Sequence, residues 1–183
     1  WYGEELGRYF AERYGFEFAA MRSSTMYGPG KLRRHGKMGI HSLLIENALK
    51  GEPTRVPGGG DQMDDIIYAA DIADAVVAAC FKDKLAHGIY NIGSGKAISI
   101  KQFANAVREI FPSAIIEIGG GRNYLGSGLK RDRIFDISFA QSDLGFKPRY
   151  DPLTAITNYR EMVMMFESMN RKRYLHCERK HGG

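Results

Sequence analysis

Apolar positions in this chain recur at two different spacings, and the alternation between them lays out its elements. Tyr2, Leu6, Tyr9, Phe10 and Tyr14 lie at helical spacing and Gly15 supplies a stop, which predicts a helix over 2–14. Phe16–Met21 is a short apolar run and reads as a strand. A Gly- and Lys/Arg-rich loop, Gly28–Gly39, leads into a predicted helix over Ile40–Lys50, closed by Gly51. Thr54–Pro57 and Asp65–Tyr68 read as strands on either side of the turn Gly58-Gly59-Gly60-Asp61. Asp71 is the expected cap of a helix of small residues, Ile72–Lys82, with Asp74 near the positive end of its dipole.

The second half continues in the same way. His87–Ile92 reads as a strand, and Ser99-x-x-Gln102 is a capping box that opens a helix to Phe111. Ala114–Ile118 is a β-branched strand candidate, Gly119–Gly128 a loop, and Ile134–Asp136 a candidate edge strand. Ser138-x-x-Gln141 is expected to cap a short helix closed by Gly145. Asp151-Pro152 opens the long last helix, with proline where no N–H is needed. Short strands alternating with helices argue for the α/β class. No internal repeat is present.

Composition changes this picture little. At 183 residues, 44% hydrophobic and 26% charged, the chain suits one compact unit large enough to bury a core. No apolar run approaches the ~18 residues of a membrane span, and no signal segment opens the chain. Two cysteines make no disulfide framework, so a reducing cytoplasm is the expected compartment, with Cys80 a buried thiol and Cys177 an exposed one. Of the net charge of +5, residues 171–183 carry +4, five basic side chains against Glu178. The rest is nearly neutral, which argues against a specific nucleic-acid face and leaves 171–183 as a basic tail.

Several chemistries are missing from the motif inventory. No Gly-x-Gly-x-x-Gly fingerprint follows a strand. Gly93-Ser94-Gly95-Lys96 looks like the end of a phosphate loop, but the first glycine is absent and Ala97 replaces the Ser/Thr. His35, His41, His87, His176 and His181 show no metal-ligand spacing, and no Ser-His-Asp set is identifiable. The sequence therefore offers no catalytic residue and no metal ligand of its own.

What it does offer is a series of segments in a characteristic order. Arg22-Ser23-Ser24-Thr25-Met26-Tyr27-Gly28-Pro29 follows the first strand. Asn47-Ala48-Leu49-Lys50-Gly51, Val56-x-Gly58-x-Gly60-Asp61-Gln62 and Asp65-Ile66-Ile67-Tyr68-x-x-Asp71-Ile72-Ala73-Asp74 come next, then Tyr90-Asn91-Ile92-Gly93 and Asp136-Ile137-Ser138…Leu144-Gly145-Phe146-Lys147-Pro148. Together these resemble the second half of the extended short-chain dehydrogenase/reductases, the NAD-dependent sugar-nucleotide epimerases and dehydratases, over about residues 1–165.

The resemblance implies the C-terminal part of a Rossmann-like NAD(P)-binding fold with a smaller mixed α/β substrate-binding lobe. Residues 1–30 would end the dinucleotide-binding fold, and 31–170 would form the lobe with interleaved Rossmann edge elements. It also implies a parent enzyme that moves a hydride from a sugar carbon to NAD, with a Tyr-x-x-x-Lys pair that would fall just before Trp1. The 183-residue chain by itself is then expected to be inactive and to hold no cofactor tightly. Ser23 and Ser24 are assigned to the neighbourhood of the nicotinamide, Thr25 to the sugar, and Val56 to the nucleotide base. Helix 2–14 is expected to carry a homodimer contact.

Two positions depart from the family pattern. Thr25 stands where asparagine is common, and Asp64 where an arginine usually grips the diphosphate; a carboxylate there reverses the local charge preference. Arg55, Arg131 or Arg133 could compensate, Arg131 lying near the family's second phosphate arginine. Otherwise the ligand carries less phosphate than a nucleotide sugar. Ser23, Ser24 and Thr25 also have a purely structural alternative, satisfying backbone groups at a strand end. The competing functional reading is a non-catalytic nucleotide-sugar-binding or scaffold module with a basic tail.

Overall fold

A computed structural model describes residues 1–30, 38–126 and 133–180, with 170–180 as backbone only. In chain order the first elements are α1 (Tyr2–Tyr14), β1 (Ala20–Ser23), β2 (Thr25–Tyr27), α2 (Ile40–Lys50), β3 (Thr54–Val56) and β4 (Met63–Tyr68). They are followed by α3 (Ala69–Cys80), β5 (Ile89–Ile92), β6 (Ala97–Ser99), α4 (Ile100–Ile110), β7 (Ile116–Ile118), α5 (Ser138–Leu144) and α6 (Pro152–Lys180). The α/β class stands.

Three small sheets organise these strands. β1 pairs in parallel with β5, from Ala20 opposite Ile89 to Ser23 opposite Ile92. β4 lies between β2, parallel to it with Thr25 opposite Ile66, and β6, antiparallel with Met63 opposite Ser99. β3 pairs in parallel with β7. The chain changes sheet at one residue, Ser24, between β1 and β2; its N–H donates to the Ile92 carbonyl at 2.8 Å.

Strand periodicity then divides the interior. Successive residues of β4 face opposite sides. Ile66 and Tyr68 enter a core with Leu44, Ile45, Phe103, Val107, Ile156 and Tyr159, while Ile67 enters a second core with Tyr90, Ile92 and Phe146. The first core lies among α2, α4 and α6, and the Tyr159 hydroxyl donates across it to Glu46 at 2.6 Å. α3 and α5 flank the second core.

Several sequence expectations need correction. The first strand is shifted from 16–21 to Ala20–Ser23, and two strands, β2 and β6, have no counterpart among the predicted elements. Asp71 is not a cap: α3 begins two residues before it, and its buried carboxylate accepts the N–H groups of Arg149 (2.8 Å) and Tyr150 (3.4 Å). Burial raises its pKa, against the lowering effect of those two amides. Ser138 is likewise inside its helix, with its N–H held by Asp136 at 2.9 Å. Edge pairing occurs at Arg133, bridged to Asp64, rather than over 134–136. Cys80 is exposed, on the outer face of α3.

Other local signals match closely. α1, α2 and α5 end at Gly15, Gly51 and Gly145. The Ser99/Gln102 capping box forms reciprocally, at 3.1 and 2.8 Å. Asp151 caps α6, accepting from the Thr154 N–H and hydroxyl, both at 2.8 Å, and these bonds hold its carboxyl below the ordinary aspartate range. Among the described residues no helix is long and apolar enough to cross a membrane.

The cap gives a stability test. Asp151→Ala should lower unfolding stability by about 1 kcal/mol in urea titrations. Because the folded pKa is depressed, that difference should be complete above the ordinary aspartate range. It should fade as pH falls through that range to the depressed value. A difference that grows on acidification would contradict the assigned cap.

Candidate functional site

The site grows from the switch of sheets at Ser24. Its backbone is claimed by β5, but the side chain belongs to neither ladder. The residue is 8% exposed, and its buried hydroxyl has no hydrogen-bond partner among the described residues. Buried hydroxyls are rarely left so. The cavity is about 260 Å³, and Ser23, Thr25 and Asp64 share its wall with Ser24. Four of the residues singled out from the sequence are therefore neighbours here.

Val56 lies elsewhere, in an adjoining cavity of about 310 Å³ with Leu43, Thr54, Arg55 and Pro57. Ile40 and Tyr124 line both spaces and separate them. Arg55 also lines the second, but its guanidinium is paired with Glu117 at 3.2 Å. Arg131 lies outside the described residues, as do 31–37 of the loop before α2 and the side chains of the basic tail.

Pattern reading passed over His41, Gln62 and Tyr124. His41, 3% exposed, packs edge-on against Phe103 with ring centroids 4.9 Å apart. It sits in the first turn of α2, and a single histidine among apolar residues carries no sequence signal. Gln62 closes the Gly58-x-Gly60-Asp61-Gln62 segment and could have been singled out with it. Tyr124 is the one aromatic in a Gly-rich loop, a cue that the low apolar content of the stretch obscured.

Tyr124 is held by the turn before β4. The Gly59 and Gly60 N–H groups donate to Gly120 and Gly119, and the Asp61 carboxylate accepts from Gly121 N–H and Lys101, each at 2.7 Å. Gly59 has φ +88°, and a Cβ there would stand 2.2 Å from the Tyr124 Cα. Only glycine permits so close an approach. Burial pushes the Tyr124 phenol up, which keeps it neutral.

The chemistry available is that of binding. The cavity wall offers hydroxyls, a carboxamide, an imidazole and one carboxylate, and among the described lining residues no lysine or arginine. The phosphate-loop look-alike is not an anion cradle: the Ser94 and Gly95 N–H groups donate to Asp65 at 2.8 and 3.2 Å. Among the described residues no group of three His, Cys, Asp or Glu side chains could hold a metal.

The cavity lies at the carboxyl end of β1, where ligand sites are expected in open α/β folds, and beside a turn rich in glycine. The family model for NAD dependent epimerases and dehydratases matches residues 1–93, and the chain belongs to that family. A putative UDP-glucose 4-epimerase of Methanocaldococcus jannaschii is 30% identical over 154 residues, covering 81% of this chain and 46% of the relative. The crystal structure of a Thermotoga maritima UDP-glucose 4-epimerase with UDP-glucose superposes with a TM-score of 0.71 at 23% identity, over 89% of this chain and 51% of that one. A GalE-like L-threonine dehydrogenase from Cupriavidus necator gives 0.72 at 22%, over 88% and 58%. The chain thus spans about half the length of the relatives it matches, and the fold is shared by proteins named for different substrates.

The anchoring of the site can be tested through Asp65, which is 3% exposed and also accepts the Phe135 N–H at 3.1 Å. Asp65→Asn turns an amide group toward buried N–H donors and should cost about 2–4 kcal/mol, two unsatisfied donors' worth. Thermal or urea unfolding of the variant checks this.

Proposed function

We propose that this chain is the substrate-binding portion of an NAD-dependent nucleotide-sugar epimerase or dehydratase. The parent would act by transient hydride transfer from a sugar carbon to NAD. The observation that carries the reading is the unpartnered Ser24 hydroxyl in a cavity walled by Thr25 and Asp64, next to a second space lined by Val56. In this reading the Val56 space takes the base. Thr25 and Asp64 face the sugar and its phosphates, and Ser23 and Ser24 lie toward the nicotinamide. Residues 1–30 belong to the dinucleotide-binding fold and 31–170 to the substrate lobe. The parallel pairing of β1 with β5 supports that interleaving, since residues 20–23 and 89–92 form one ladder. The N-terminal half of the family fold is where NAD would be gripped, and hydride acceptance is the chemistry it would supply.

Asp64 sets the phosphate preference. A carboxylate beside two phosphates opposes binding, so Asp64→Arg in the intact parent should tighten UDP and dTDP by charge-assisted bonding, about 1.5–3 kcal/mol or roughly ten- to a hundredfold. Arg131, the proposed compensating cation, should weaken both ligands when changed to alanine. Titration calorimetry on the wild type and both variants decides. Intact binding with no response to Asp64→Arg would mean that position 64 does not face the phosphates.

Self-association is part of the same reading. Tyr2, Tyr9 and Tyr14 on α1 are 79, 54 and 66% exposed, and α1 buries none of its residues. An apolar face of that kind favours pairing with a second copy. Light scattering should show a dimer at micromolar concentration that Tyr9→Glu disrupts. A wild type that stays monomeric would remove homodimerisation from the proposal.

A further inference from the structure

Gln62 is 3% exposed and lines the Ser24 cavity, as does Tyr124. Its Nε2 donates to Asp64 Oδ2 at 3.1 Å, and its Oε1 accepts the Tyr124 N–H at 3.1 Å. This orientation is the only one that satisfies both partners. Turned over, the carboxamide would set its NH2 against an N–H donor and its oxygen against a carboxylate. One rigid group therefore spans from a residue of the Ser24 cavity to the residue that walls both spaces.

We propose that Gln62 is a positioning residue that couples the two cavities, so that what happens at Asp64 is transmitted to Tyr124 and hence to the Val56 space. The carboxamide is fixed at both ends, and buried polar links of this kind act as units rather than as separate bonds. Further bonds from the turn hold Gly119–Gly121: the Gly59, Gly60 and Asp61 amides donate to the Gly120, Gly119 and Gly121 carbonyls, and the Asp61 carboxylate accepts the Gly121 N–H. The Gln62 bond reaches the Tyr124 backbone directly. The coupling is a property of the apo chain; only its use to read the two parts of one ligand together rests on the function proposed above.

Amide hydrogen exchange on the 183-residue chain tests it without any ligand. Asp64→Ala, which removes the acceptor of the Gln62 carboxamide, should speed exchange at the Tyr124 amide about tenfold, the worth of one buried hydrogen bond. Gln62→Met should do at least as much. The double variant should exchange no faster than Gln62→Met alone, because both changes cut the same link. Asp61→Asn is the control for simple loosening: it should speed exchange at Gly121 while leaving the Asp64→Ala effect at Tyr124 intact.

An unchanged Tyr124 amide in Asp64→Ala overturns the proposal, and so do additive effects in the double variant. Loss of the Asp64→Ala effect in the Asp61→Asn background also overturns it, since the loop would then be loosening as a whole. Should Gln62→Met fail to fold, Asp64→Ala and the Asp61→Asn pair still decide. UDP titration of the same proteins separates the two claims. Absence of UDP binding in the wild type removes the nucleotide reading and leaves the exchange result standing on its own.

Discussion

The arrangement depends on one buried carboxylate. Asp65 accepts the N–H and hydroxyl of Ser94, both at 2.8 Å, the Gly95 N–H at 3.2 Å and the Phe135 N–H at 3.1 Å. In doing so it joins β4, the turn after β5 and the segment that leads into α5, three stretches far apart in sequence. Taking a carboxylate out of water is costly unless its lone pairs are used, and here four donors meet two oxygens. The fit is close enough that a Cβ on Gly93 would lie 2.7 Å from Asp65 Oδ2. Because neighbouring residues of a strand face opposite ways, the anchoring of Asp65 in the interior is also what turns Asp64 toward the cavity.

Asp71 repeats the device one element later. Its carboxylate holds the backbone of Arg149 and Tyr150, and so sets where the chain enters α6. That helix covers the larger core through Ala155, Ile156 and Tyr159, none of them exposed. Two aspartates six residues apart thus fix the positions of α5 and α6 relative to β4. Neither lines the two cavities of the candidate site. Both are structural charges whose burial is compensated by main-chain N–H groups rather than by cations, an arrangement that leaves no arginine or lysine committed to the interior on their account.

What the sequence disclosed follows the range of the forces involved. Helices whose period repeats over three turns, and caps formed within four residues, were legible: α1, α2, α4 and the Asp151 cap stand at or within a residue of their expected bounds. The three-residue strands β2 and β6 were not, because their identity lies in partners tens of residues away. Asp71 was misread for the same reason. A carboxylate near a helix start resembles a cap until Arg149 is brought to it. At the site, Ser23, Ser24, Thr25 and Asp64 could be selected from ordered motifs, whereas the separation of Val56 into a second space, and Tyr124 as the wall between, required the loop after β7 to be folded back onto the turn before β4.

The change of sheet at Ser24 has a consequence for how such a protein can alter over generations. Main-chain bonding there is supplied by Ile92, and among the described residues no neighbour's hydrogen bonding depends on the side chain. Exchange of that side chain for another that fits the space removes no bond on which folding relies. Position 24 is thus a place where the wall of the cavity can change at little expense in stability. Asp65 and Asp71, whose every oxygen is engaged by the backbone, are closed to the same experiment. Robustness and adaptability are assigned to different residues, and a fold divided in that way can retain its frame while its chemistry drifts.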